Sequence, residues 1–194
     1  MLGIFLDTET NGLDLFEHKV IEIAFDLVDL NSGALIDTFH ATVACSSDEW
    51  KKSDPESLKI NGFSWDEVSQ GTPRHQVGLD IEKFFIRYQL KRKQAIFICQ
   101  NPSFDRIFFS QLVCPGKQEA LLFPYHWLDL ASMFFARTLT SSNTPLPWDI
   151  GYSKDMIAAF YKIPPEEKPH RAVNGVRHLL ACYTQVVGFP KRPS

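Results

Sequence analysis

Three short stretches of this sequence carry residue types that could hydrolyse an ester bond. Asp7-Thr8-Glu9 closes an apolar opening run, Gly3 to Leu6. Along a strand, positions two apart face the same side, so both carboxylates can converge on one cation. Asp80 and Glu82 have the same spacing but fall in a helical pattern, where they read as solvated surface. The first pair differs in context, with a hydrophobic strand before it and the turn signal Asn11-Gly12 after it. The second stretch, Asn101-Pro102-Ser103-Phe104-Asp105, follows the compact apolar run Ala95 to Cys99. It places a carboxylate in the first turn of a helix beside a strand end, where ligands commonly bind in α/β sheets. The same carboxylate would also simply favour the positive helix N-terminus. The third, His170-Arg171-Ala172-Val173, opens the last helix after the Pro164 to Pro169 segment. An imidazole on such a loop is a candidate general base near neutral pH, or an inert exposed histidine.

These groups act together only if the intervening elements bring them together. Gly3–Asp7, Val20–Asp29 and Ala34–Val43 have the apolar, β-branched character of strands, and turn signals separate them, which predicts a three-strand meander. Asp54-Pro55-Glu56 opens a short helix that Asn61-Gly62 ends, and Ser64-Trp65-Asp66-Glu67 predicts another helical turn. Gly78 to Arg92 carries apolar residues at helical spacing. Ala95–Cys99 is predicted as a strand, and a helix from Pro102 is predicted to include Phe104, Ile107, Phe108 and Leu112. A short strand at Trp127-Leu128 and an apolar helix over Leu130–Leu139 follow. Thr138 to Pro147 reads as a polar loop, either a flap over substrate or a linker. Ser153 is predicted to cap a helix that runs to Phe160. The final helix places Val173, Val176, Leu180, Tyr183 and Val187 on one stripe, and Gly188 and Pro190 stop it. Three antiparallel strands followed by alternating helices and strands predict an α/β fold with a mixed sheet covered by helices.

Composition narrows the classes of function. The chain has 194 residues, 44% hydrophobic and 22% charged, with a formal net charge of −3. That is ordinary globular composition, and it excludes a disordered or fibrous chain. Weak acidity argues against coating long nucleic acid through charge alone, while leaving room for an enzyme that grips a few phosphates. Phe supplies 16 residues, mostly in apolar runs, and is expected largely in the core. Cys45, Cys99, Cys114 and Cys182 show no CxxC spacing and are expected to be free thiols rather than disulfides or zinc ligands. The start lacks a basic signal-peptide region, and no apolar run approaches the roughly 20 residues that span a bilayer, so a cytoplasmic protein without a membrane partner is expected.

Taken jointly, Asp7-x-Glu9-Thr10 with Gly12, Asn101-x-x-Phe104-Asp105-x-x-Phe108 and His170-x-Ala172 resemble the motifs of the DnaQ-like DEDDh 3′–5′ exonucleases. Order, spacing and setting agree over nearly the whole chain. Asp54 to Gly62 is similar to the family segment after the third strand, as in the proofreading-subunit and ribonuclease T branches. The resemblance implies a ribonuclease H-like mixed five-stranded sheet, three antiparallel strands then parallel ones, in one exonuclease domain over residues 1–194.

It also implies a site. Mg²⁺ or Mn²⁺, two ions in the family, would be held by Asp7, Glu9 and Asp105, with Asp7 bridging. His170 would take a proton from the attacking water. Thr10 and Leu13 match the stretch that wedges the terminal base, and Phe104 either stacks on that nucleotide or packs in the core. Arg171 and Arg177 are candidates to hold phosphates. The implied substrates are 3′ ends of single-stranded DNA or RNA, with a polymerase or a second copy as possible partners. One position departs from the pattern. The third motif ends in an acid at 175 in the family, and this chain has Gly175. The departure implies a weakened water-side ion and reduced activity, or a relative that binds nucleic-acid ends or a polymerase without cutting.

Overall fold

The computed structural model describes residues 1–141 and 145–190. β1 (Leu2–Thr10), β2 (Val20–Asp29) and β3 (Ala34–Thr42) form the expected antiparallel meander. Three short helices follow. α1 (Ser47–Trp50) starts from a capping box at Ser46, and α3 (Trp65–Ser69) from one at Ser64. Between them lies α2 (Pro55–Asn61), whose first turn is capped by the Asp54 carboxylate. Gly62 ends α2 at φ 66°, a left-handed conformation that favours glycine.

The longer α4 (Arg74–Arg87) leads to β4 (Ala95–Cys99), α5 (Pro102–Phe109), α6 (Pro115–Ala120) and β5 (Trp127–Asp129). α7 (Leu130–Leu139), α8 (Pro147–Ile150), α9 (Lys154–Phe160) and α10 (Ala172–Val186) complete the order. The strands lie in the order β3-β2-β1-β4-β5, and the β1–β4 and β4–β5 pairs are parallel. This is the ribonuclease H-like mixed sheet that the resemblance implied.

β1 is central and covered on both faces, which explains its near-continuous burial. On one face Ile4 and Leu6 join Phe25, Phe85, Phe97, Phe108 and Phe109 under α4 and α5. On the other, Phe5, Ala24 and Ile98 meet Phe134, Ile157, Val176, Leu179 and Tyr183 from α7, α9 and α10. Phe5 meets the Tyr183 ring edge-on at 5.0 Å, and Phe97 stacks on Trp127 at 3.8 Å. Asp7 and Glu9 share the parity of Phe5, so the strand directs them toward the face on which α10 lies.

Several boundaries differ from expectation. The helix read over Gly78–Arg92 spans Arg74–Arg87, starting directly after Pro73, and Gln89 beyond it takes a left-handed φ of 52°. The helix from Pro102 ends at Phe109, so Leu112 joins the core from outside it. α1 and α6 are too short to show a hydrophobic period. In the expected loop Thr138–Pro147, Thr138 and Leu139 belong to α7, Pro147 opens α8, and residues 142–144 lie outside the described residues. On α10 the buried face runs through Ala172, Val176, Leu179, Cys182, Tyr183 and Val186, and Val187 lies exposed beyond the helix. All four cysteines are free, and three of them are buried.

One contact fixes where α10 begins. Arg171 offers no side-chain cap, and the first backbone N–H groups of a helix need acceptors. Ala172 N donates to Glu22 Oε2 at 2.6 Å, across 150 positions of sequence. The other oxygen, Glu22 Oε1, lies 2.7 Å from His40 Nε2 on β3. A buried carboxylate therefore ties β2, β3 and the start of α10 together. Glu22→Ala should lower the unfolding free energy by roughly 1–3 kcal/mol, the usual cost of leaving a buried donor unpaired. Glu22→Gln, whose amide oxygen still accepts, should recover most of that in urea denaturation.

Candidate active site

Asp7 and Glu9 stand near the end of β1, beyond the part of the strand that pairs with β4, namely Leu2 to Phe5. α5 begins just past β4 and carries Asp105 back toward β1. Asn101 makes the turn in a left-handed conformation, φ 56°, which asparagine tolerates well, and its N–H donates to Asp129 Oδ1 at 3.0 Å. Asp105 is 3% exposed and accepts from Thr8 Oγ1 at 2.8 Å. Thr8, between Asp7 and Glu9 on β1, thus links the strand end to the carboxylate at the start of α5.

His170 arrives on the segment before α10. Its backbone N–H donates to Ile60 O at 3.1 Å, which ties this segment to α2. α2 is itself tied to the first stretch, because Asn61 Nδ2 donates to Thr10 O at 3.0 Å. His170 Nδ1 lies 3.6 Å from Glu166 Oε1.

Three further charged groups lie close by. Glu166 has a side chain only 2% exposed, and its carboxylate faces three basic groups, Lys154, His170 and His178. Lys154, the first residue of α9, places Nζ 2.8 Å from Glu166 Oε2, 3.3 Å from Gly175 O and 3.7 Å from Asp7 Oδ1. In the sequence Glu166 is marked only by standing four positions before His170. Lys154 carried one subtle signal: a cation in the first turn of a helix opposes the helix dipole. Glu22, paired directly across the ladder from Glu9, is a fifth acid beside Asp7, Glu9, Asp105 and Glu166.

The remaining candidates occupy different settings. Thr10 is buried, and its hydroxyl donates to Gly12 O at 2.7 Å, inside the turn that follows β1. Leu13 is 73% exposed on that turn, and nearby Phe16 is 82% exposed. Phe104 is half-buried against the α4–α5 core, 4.7 Å from the Phe108 ring. Arg171 is committed to the protein, lying 3.8 Å over the Phe63 ring and 2.8 Å from Glu67 Oε1. Arg177 is exposed.

Crowded carboxylates in a dry setting resist ionisation. Burial pushes Asp7 up to about 6, against the pull of Lys154. Glu9 rises to about 8, first through burial and then through the charges of Asp7, Glu22 and Glu166. Burial and Asp7 hold Asp105 well above the usual carboxylate range, although hydrogen bonds from Thr8 oppose them. Burial works against the charge on Lys154, but Asp7 and Glu166 outweigh it and raise its pKa.

A mixed sheet of this order, flanked by helices and carrying acids near the end of its central strand, is the ribonuclease H-like fold. The chain belongs to the RNase T exonuclease family, whose model matches residues 4–183. A search of curated proteins finds no match. Among solved structures, the nuclease domain of 3′hExo, a DEDDh family member bound to rAMP, superposes with a TM-score of 0.73 at 12% identity. That match covers 100% of this chain and 96% of the other. E. coli Exonuclease I in complex with a dT13 oligonucleotide gives 0.73 at 16% identity, covering 95% of this chain and 40% of the other. Cell-death related nuclease 4 gives 0.71 at 13%, covering 96% and 63%. The chain therefore spans well under the full length of the last two proteins.

The family typically uses divalent metals. Among the described residues, no three His, Cys, Asp or Glu side chains already stand at ligating spacing. The donor set nevertheless suits a hard cation, being made of oxygens whose mutual repulsion a positive charge would relieve.

A stability test follows from the raised pKa values. The folded protein binds more protons than the unfolded chain between the ordinary Glu value and about 8, so stability falls as pH rises across that window. Metal-free protein should unfold at lower urea concentration at pH 8.5 than at pH 5.5, and Glu9→Gln should flatten this dependence.

Proposed function

We propose that this chain is a metal-dependent 3′–5′ exonuclease that removes nucleotides from the 3′ ends of single-stranded DNA or RNA. The observation that supports this reading is the mutual electrostatic influence of Asp7 with Glu9 and with Asp105 near the end of β1, together with Glu166, which faces both His170 and the Lys154 that meets Asp7. Relatives bound to a deoxynucleotide oligomer and to a ribonucleotide support an end-directed activity on either polymer.

In this reading Asp7, Glu9 and Asp105 hold Mg²⁺ or Mn²⁺. A bound divalent cation makes a water acidic enough to attack at neutral pH and offsets charge on the departing oxygen. Glu166 lies on the Nδ1 side of His170 and favours a proton there, which leaves Nε2 to accept the proton of the attacking water. Leu13 and Phe16, exposed on the turn after β1, offer apolar surface to the terminal base. Phe104, half-buried, contributes an edge to the same end-binding surface, and Thr10 keeps the turn in place. The chain works as one exonuclease domain. Its three buried, free thiols suit a reducing cytoplasm, and no helix among the described residues is long and apolar enough to cross a membrane.

Gly175 favours a second reading, in which the chain holds nucleic-acid ends, alone, as a homodimer or beside a polymerase, and cuts slowly or not at all. A single-stranded oligonucleotide labelled at its 5′ end separates the two readings. The exonuclease should shorten it stepwise from the 3′ end, faster with Mn²⁺ than with Mg²⁺, because Mn²⁺ tolerates a less complete ligand set. Asp7→Ala should reduce the rate at least 100-fold. Binding without shortening in either metal would support the second reading.

A further inference from the structure

Lys154 is the least expected residue at this site. It begins α9, where a positive charge opposes the helix dipole. Its side chain is 13% exposed, and its ammonium is surrounded by oxygens from three places: Glu166 Oε2, Gly175 O and Asp7 Oδ1. Such an arrangement of carboxylate and carbonyl oxygens is the environment a cation requires.

The same contacts account for Gly175. A Cβ at this position would overlap Asp7 Oδ2 and lie 3.2 Å from Lys154 Nζ. With Asp7 in place no side chain fits at 175, and Lys154 Nζ would lie in tight contact with its Cβ. Glu166 completes the set, because its buried carboxylate makes the closest contact with the ammonium. Lys154 is therefore tied to Glu166 by their ion pair and to Gly175 through its carbonyl, and it also meets Asp7, whose carboxylate excludes a side chain at 175.

We propose that Lys154 is a built-in cation, which fills the position beside Asp7 that an acid at 175 would serve and leaves the chain one divalent cation, held by Asp7, Glu9 and Asp105. Lys154 is on this account a positioning residue: it fixes Asp7 and contributes a permanent positive charge without exchanging with solvent. The proposal rests on the reading of these acids as metal ligands. It differs from the two-ion site implied by the family resemblance.

Counting metal tests it without reading catalysis. Metal-free full chain is titrated with Mn²⁺ at neutral pH, and free Mn²⁺ is followed by electron paramagnetic resonance. One ion per chain is expected, rising to two in Lys154→Met, where Glu166 and Asp7 are released to a second ion. Zero or two ions in the unaltered protein overturns the proposal, as does a folded Lys154→Met chain that still binds one. Should that variant not fold, reductive methylation of the native protein decides. Lys154 should stay at least tenfold less modified than Lys51 and Lys59, with and without Mn²⁺, and labelling induced by Mn²⁺ would show the lysine displaced and overturn the proposal. A chain that binds one Mn²⁺ with Lys154 protected, yet never shortens an oligonucleotide, refutes the exonuclease reading alone.

Discussion

Negative charge crowded into a dry edge of the sheet is the constraint around which this molecule is arranged. Asp7, Glu9, Glu22, Asp105 and Glu166 approach one another where solvent is largely excluded, and a group of carboxylates in such a setting is unstable unless partners or bound protons offset the charge. The partners come from different parts of the chain. Thr8 donates to Asp105, the backbone of Ala172 and the ring of His40 meet Glu22, and Lys154 meets Glu166 and Asp7. The placement of α9 and α10 is part of the electrostatic solution as well as of the apolar packing.

The segment from Ser47 to Ser69 has a supporting role that its short helices do not suggest. Asn11 is fully buried; its amide donates to Glu49 O and Ser53 Oγ, and its side-chain oxygen accepts from Lys19 N. Asn61 holds Thr10 O, and Ile60 O holds His170 N. Phe63 lies under the Arg171 guanidinium. The turn carrying Leu13 and the loop carrying His170 therefore rest on one small platform. Gly62 lets that platform pass close to Pro169, because a Cβ there would come within 2.8 Å of the proline Cβ.

Much of this was legible in the chain itself, and the parts that were not share a physical character. β2, β4, α7 and α9 follow from apolar runs, turn signals and the Ser153 cap, because local pattern and tertiary role agree there. Asp7, Glu9, Asp105 and His170 stand in a recognisable order. Glu22 was hidden, since an acid among the apolar residues of a strand has no local mark of a tertiary hydrogen bond 150 positions away. Lys154 was hidden for the same reason, apart from its awkward place at a helix start. The α4 boundary was misjudged because Gln89 breaks the helix through backbone conformation rather than through glycine or proline. On α10 the packing of β1, β2, α7 and α9 buries more of the helix than a single apolar stripe indicates.

The link between Glu22 and Ala172 also bears on how the protein comes into being. During synthesis β1 and β2 emerge early, carrying Asp7, Glu9 and Glu22, whereas Ala172, which satisfies Glu22, is added some 150 residues later. Until α10 docks, Glu22 lacks the Ala172 N–H that it accepts from, so this acidic edge is incomplete while the chain is still on the ribosome. Assembly of the edge is therefore a late, long-range event, whose timing follows from closing one large loop rather than from any single motif.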